Sequence, residues 1–252
     1  VLAHLLMAAL FVAIGAVLGV LGGMFGIGGG LIAIPLLGIV FGYSEQEAQG
    51  TSLVMIVSNV LAGVRSYAKH PAFDVRAGVI MACAAIPFTF LGAFIAVHMN
   101  SAVLRIGFAA LLAVLGIWFA VRALMRPSQR VRAQWPQWAV GVLGAGGGAL
   151  SGVFTVGGAV FAVPFLSTFF GYSQATAQGL ALAMVAPGTF VSLGTYAFAH
   201  DINWWVAIPL ALGGTLTVPY GVRIAHRLPD ATLRLLFSLL LFASSAALAF
   251  KH

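Results

Sequence analysis

Long apolar runs separated by short polar or glycine-rich breaks dominate the chain. One series of segments occupies about Leu2 to Leu21, Gly29 to Phe41, Ala48 to Val64, Ala77 to Val97 and Ile106 to Val121. A second occupies about Trp138 to Leu150, Gly158 to Phe170, Thr176 to Ala199, Trp204 to Val222 and Leu235 to Phe250. Runs such as Ala77 to Val97 lack the period-two alternation of a barrel strand. Hydrocarbon offers backbone N–H and C=O groups no partners, so runs of this kind must form helices that satisfy those groups internally. The pattern predicts an all-α polytopic membrane protein. The second segment of each series is too short for an ordinary span of ~20 residues, follows a glycine cluster and contains a proline, the marks of a broken or re-entrant helix.

The two series are copies of one unit. FGIGGGLIAIPLLGIVFGYSEQEAQG, starting at Phe25, aligns without a gap on FTVGGAVFAVPFLSTFFGYSQATAQG, starting at Phe154. Gly28 pairs with Gly157, Gly29 with Gly158, Pro35 with Pro164 and Gln49 with Gln178, at a constant offset of 129 (164 − 35 = 129). Shared hydrophobicity does not reproduce Gln, Tyr and Pro in register. The same offset continues through Tyr67/Tyr196, Gly92/Gly221 and Arg105/Arg234, so the duplication runs over nearly the whole chain. The predicted organisation is a first transmembrane repeat over 1–125, a basic linker over 126–136 and a second repeat over 137–252.

Composition agrees with a membrane setting: only 7% of the 252 residues are charged and 62% are hydrophobic. No Asp, Glu, Lys, Arg or His occurs between Ala133 and Ala199, a stretch long enough for about three spans. The net charge of +7 arises from basic residues lying between apolar runs rather than along one face, which argues for topology signals and against nucleic acid. The first run lacks a basic leader and a cleavage site, and reads as a transmembrane helix rather than a signal peptide. The single cysteine, Cys83, permits neither an intramolecular disulfide nor a CxxC metal site.

Charge also orients the repeats. The loop after the third segment carries Arg65, Lys69 and Arg76, whereas its equivalent near Trp204 carries no Lys or Arg. At the next loop the bias reverses: His98 to Ser101 has none, and its equivalent carries Arg223 and Arg227. Under the positive-inside rule, equivalent loops face opposite sides, so the repeats are expected to be inverted, with the Arg-rich linker in the cytoplasm and both termini outside.

Inverted repeats with glycine- and proline-interrupted segments at matching positions are the sequence pattern of secondary carriers. Free N–H groups at a helix N-terminus can replace an anion's water shell, and Gly28, Gly29, Gly157 and Gly158 stand where such N-termini are expected. Gln49 and Gln178 repeat beside these clusters, with Ser52 and, two turns deeper, Asn59 as further polar groups facing either a solute or a neighbouring helix. Tyr43 and Tyr172 suit interfacial anchors, and Arg65, Arg105 and Arg234 suit contacts to lipid phosphates. Every Asp, Glu and His lies at a segment end, which disfavours a chain of acids relaying protons. Neither an HExxH zinc pair nor a GxSxG elbow is present, so no enzyme activity, cofactor or metal is expected.

The segments GGMFGIGGGLIAIPLL and GGALSGVFTVGGAVFAVPFL, each followed by FGYS and Ala-Gln-Gly, resemble the sulfite exporter TauE/SafE family of the bacterial sulfonate permease group. That resemblance implies a multi-pass transporter of a bacterial or archaeal inner membrane, moving sulfite, sulfonates or related organic anions. Family members differ in substrate and direction. Thr155 and Ala159 stand where the first repeat has Gly26 and Gly30, which makes the two half-sites unequal. The expected function is alternating-access transport of a small sulfur-containing oxyanion at a site formed by Gly28, Gly29, Gln49, Ser52, Asn59, Gly157, Gly158 and Gln178. The expected partners are the small anionic solute and the lipid bilayer; the sequence assigns no oligomeric state. The alternatives are a membrane scaffold or assembly protein without transport, in which glycines pack and glutamines tie helices, and a carrier of other organic anions.

Overall fold

A computed structural model describes residues 2–124, 138–199 and 201–249. These residues form ten helices and no strand: α1 (Leu2–Phe25), α2 (Gly30–Val40), α3 (Glu45–Tyr67), α4 (Val75–His98), α5 (Ser101–Leu124), α6 (Trp138–Phe154), α7 (Gly157–Phe169), α8 (Gln174–Phe198), α9 (Trp204–Arg227) and α10 (Asp230–Ala249). The expected basic linker, 126–136, lies outside the described residues. Six of the described helices are long and apolar enough to cross a membrane: α1, α4, α5, α8, α9 and α10. Their outward faces carry large exposed apolar side chains such as Leu5, Val17, Phe90, Val114, Trp205 and Leu216, which suit lipid rather than water. The chain is a multi-pass membrane protein.

The two short segments foreseen in the sequence are α2 and α7, about 16 and 20 Å long at 1.5 Å per residue. α2 doubles back along α1: Gly29 sits against the Leu18 carbonyl, and the Phe11 and Phe41 rings lie 5.1 Å apart. Glycines 26, 28 and 29, with φ of 67°, 66° and 89°, make the reversal at its start.

Packing exchanges helices between the repeats. α1 packs chiefly on α9 and α6 chiefly on α4, while α9 also packs on α3 and α4 on α8. The cause is a stripe of small residues at four-residue spacing, which brings helix backbones together where side chains would hold them apart. A methyl group at Gly15, Gly19 or Gly23 of α1 would overlap the backbone of Leu210, Gly214 or Val218 on α9. At the offset of 129, Gly144, Gly148 and Gly152 of α6 meet Met81, Ala85 and Thr89 of α4 in the same register. Two interlocked bodies result, one of α1, α2, α3 and α9 and the other of α6, α7, α8 and α4, with α5 and α10 paired beside them.

Candidate functional site

α3 and α8 form the contact between the two bodies, and both begin at well-made caps. Ser44 and Glu47 form a reciprocal capping box on α3, and Ser173 accepts the N–H of Thr176 on α8. The two helices run antiparallel, so each repeat's glutamine meets the tyrosine at the far end of the other repeat's helix. The Tyr196 hydroxyl donates to Gln49 Oε1 at 2.8 Å, and Tyr67 lies 3.4 Å from Gln178 Oε1. A second matched pair ties the loops: Asn203 donates to the Tyr43 hydroxyl and the Tyr172 hydroxyl donates to Asp74, each at 2.8 Å. Tyr43 and Tyr172 thus join the repeats to each other instead of standing alone as interfacial anchors. Arg234, expected at lipid phosphate, donates to Gln174 Oε1 at 3.1 Å.

The two glutamine ends differ in how well they are satisfied. Gln49 Oε1 also accepts from Thr155 Oγ1 at 2.9 Å, and Gln49 Nε2 lies 3.4 Å from Glu45 Oε1. At the other end, the single proton of Tyr67 goes to the Gly23 carbonyl at 2.8 Å, which leaves Gln178 Oε1 with the weaker share. Gln178 Nε2 is buried and has no hydrogen-bond partner among the described residues. Thr155 causes part of this inequality. It is a β-branched residue held at φ 63°, a strained backbone that its bond to Gln49 helps to hold, whereas its counterpart Gly26 has no side chain and packs under Gln178.

Between the two ends the chain breaks meet. α2 and α7 both start without a side-chain cap, on Gly29 and Val156 respectively. A Cβ on Gly30 would stand 2.5 Å from Val156 Cγ2, so the starts of the two short helices lie next to each other at the junction of the bodies. Each N-terminus carries a partial positive charge and N–H groups pointing out along the axis. Two of them side by side in a buried, low-dielectric interior favour a negative charge nearby.

The remaining sequence-predicted residues surround this junction. Gly28 offers its carbonyl to Asn59 Nδ2 at 3.0 Å, and the Asn59 amide lies against Gly214, so Asn59 ties the break before α2 to α3 and α9. Gly29 packs on Met55, and Ser52 is fully buried with no partner for its hydroxyl among the described residues. Gly157 lies against Leu111 and the Leu150 carbonyl, while Gly158 faces Gly147 and Ser151 of α6. Gln49 and Gln178 are not brought together. Gln178 sits at the Tyr67 end of α3, and 67 − 49 = 18 residues of helix separate that end from Gln49, about 27 Å. The predicted set is therefore spread along the body junction in the order Gln178, first break, second break, Gln49.

Four residues of this arrangement escaped the sequence reading as site members: Tyr67, Tyr196, Thr155 and Glu45. The tyrosines recur at the repeat offset, and that recurrence in a polar register was the available signal. Glu45 is at a helix end as expected, yet only 2% exposed and one turn from Gln49. No cluster of three or more His, Cys, Asp or Glu occurs among the described residues.

Similarity to known proteins extends over most of the chain. A family model described as sulfite exporter TauE/SafE matches residues 11–248. A probable membrane transporter protein of Methanocaldococcus jannaschii is 26% identical over 94% of this chain and 93% of its own length. A probable membrane transporter protein of Xylella fastidiosa is 30% identical over 85% of this chain and 82% of its own. The probable membrane transporter protein YunE of Bacillus subtilis is 22% identical over 96% and 97%.

Proposed function

The chain belongs to the sulfite exporter TauE/SafE family, and from that membership we propose that it is a secondary carrier of a small sulfur-containing oxyanion, working by alternating access. The observation that carries this reading is the meeting of two uncapped helix N-termini, α2 and α7, inside the junction of two interlocked bodies. Their N–H groups bind the anion in place of water, as helix N-termini do elsewhere. Gln178 and Gln49 contact it on the way in and out, one at each end of the junction.

Alternating access needs two ends that open in turn. The antiparallel contact of α3 with α8, each helix the repeat-equivalent of the other, supports the inverted relation of the repeats that the loop charges suggest. The tyrosine–glutamine contacts then act as two closures. Opening the Gln178 end breaks one weak contact, and opening the Gln49 end breaks two good ones. The moving bodies are the exchanged sets of helices rather than the sequence halves.

Binding to the native state raises the melting temperature. Purified protein heated with sulfite, sulfoacetate, taurine, sulfate or acetate is expected to show a selective shift with one organosulfur anion. No shift with any of them would count against the substrate class and favour a scaffold.

A further inference from the structure

A cavity of about 390 Å³, outside the junction just described, opens at the end of the molecule where α3 and α9 finish. Lys69, His70, Arg223, His226 and Arg227 line it, together with Ser66, and no carboxylate is among its lining residues. The acid of the 68–74 loop, Asp74, is committed: Oδ1 accepts the Ala77 N–H and Oδ2 the Tyr172 hydroxyl. The His70 and His226 rings stack with centroids 4.5 Å apart. His70 Nδ1 accepts the Ala72 N–H, which leaves its ring proton on Nε2 as a donor, and His226 Nδ1 is engaged with the Val222 carbonyl at 2.9 Å. Three permanent cations and two imidazoles, with no carboxylate among the described residues that line the hollow, form an electropositive pocket that a compact anion neutralises.

The repeat supplies an internal control. At the offset of 129, the positions matching Lys69, His70, Arg223 and His226 are Phe198, Ala199, Phe94 and Val97, and Arg227 alone has a basic counterpart, His98. Membrane topology alone calls for basic loops, but not for five basic side chains from two elements converging on one hollow. The cavity also adjoins the Gln178 end: His226 lies 5.2 Å, ring to ring, from Tyr67, the residue that stands between the hollow and Gln178.

We propose that this cavity is an oxyanion-binding site, filled by a sulfate- or phosphate-like group from a free solute or a lipid headgroup. Occupancy of the cavity stands independently of transport; its role as the antechamber to Gln178 rests on the carrier reading.

The test is site-resolved labelling of histidines with diethyl pyrocarbonate in lipid-free detergent, with sodium chloride of equal ionic strength as the reference. Sodium sulfate at about ten times its half-effective concentration is expected to slow labelling of His70 and His226 roughly tenfold, since only the unoccupied fraction reacts. His98, at the opposite end, is expected to be unaffected. Protection is expected to vanish in Arg223→Gln/Arg227→Gln, whose two side chains are exposed, and in Lys69→Gln to weaken. It is expected to persist in Gln49→Ala/Gln178→Ala, which separates this site from the junction. Protection by added phosphatidylglycerol but not by sulfate would support the site with lipid as its occupant. No protection by either, equal protection of His98, or unchanged protection in the double arginine variant would overturn it.

Discussion

Tyr196, near the end of α8, donates its hydroxyl proton to Gln49 Oε1 on the second turn of α3 at 2.8 Å, and Thr155 donates to the same oxygen at 2.9 Å. Two donors on one carbonyl oxygen, both from the other repeat, fasten the bodies at this end. At the matching position Gln178 has a single contact of 3.4 Å and an amide nitrogen without a partner among the described residues. The duplicated sequence has thus produced one tight end and one loose end.

Tyr196→Phe removes one of the two donors and changes no packing. A loss of about 1 kcal/mol of stability is expected, as for a typical internal hydrogen bond. Melting curves of the purified variant check this. Tyr196→Ala, which also empties a fully buried site, is expected to cost about 3–5 kcal/mol, in the range of large aromatic truncations.

Thr155 sets strain against a hydrogen bond, and two substitutions separate them. Thr155→Gly relieves a backbone penalty of about 1–3 kcal/mol while losing a bond worth about 1 kcal/mol, so near-neutral or raised stability is expected. Thr155→Val keeps the strain at φ 63° and loses the bond, and is expected to be the less stable of the two. The reverse order would rule out this balance of strain and hydrogen bonding at Thr155.

Glycine substitutions are expected to divide by what a methyl group meets. Gly194→Ala on α8 meets nothing within 4 Å, and is expected to be neutral or to gain about 0.5–1 kcal/mol from helix propensity. Gly213→Ala drives its methyl into the Val12 carbonyl at the contact of α9 with α1, and is expected to abolish the folded, monodisperse protein. Expression and size-exclusion profiles of the two variants compare them directly.

How much of this was legible beforehand follows from what repeats in a sequence and what does not. Ten apolar segments, the two short ones among them and the residues at both breaks could be read because lipid burial and helix interruption leave local signatures. The exchange of α4 and α9 between the bodies could not, because the small-residue stripes of α1 and α6 say that a backbone comes close without saying which one. The spread of the candidate residues is hidden for a related reason. Recurrence of Gln49 and Gln178 suggests one shared site, whereas an antiparallel pairing of α3 with α8 sends equivalent residues to opposite ends. The sequence does not mark Glu45, because its place in the first turn of a helix is an ordinary one for an acid, and only the fold shows its burial.

The Tyr67 end must open if solute passes Gln178. Cys83 is the sole cysteine, so Cys83→Ser gives a background in which Tyr67→Cys and Gly179→Cys can be joined. A Cβ on Gly179 would stand 2.8 Å from Tyr67 Cβ, close to disulfide reach with a small adjustment. Oxidation is expected to arrest solute flux and dithiothreitol to restore it. Flux unaffected by a fully formed cross-link would show that this end does not gate.

Uptake of labelled anions into proteoliposomes tests the carrier itself. The native protein is expected to carry at least one organosulfur oxyanion with saturable flux, and a Gln49→Ala/Gln178→Ala variant that elutes as folded protein is expected to lose that flux. Absence of flux for every such anion, or full flux in the double variant, would contradict it.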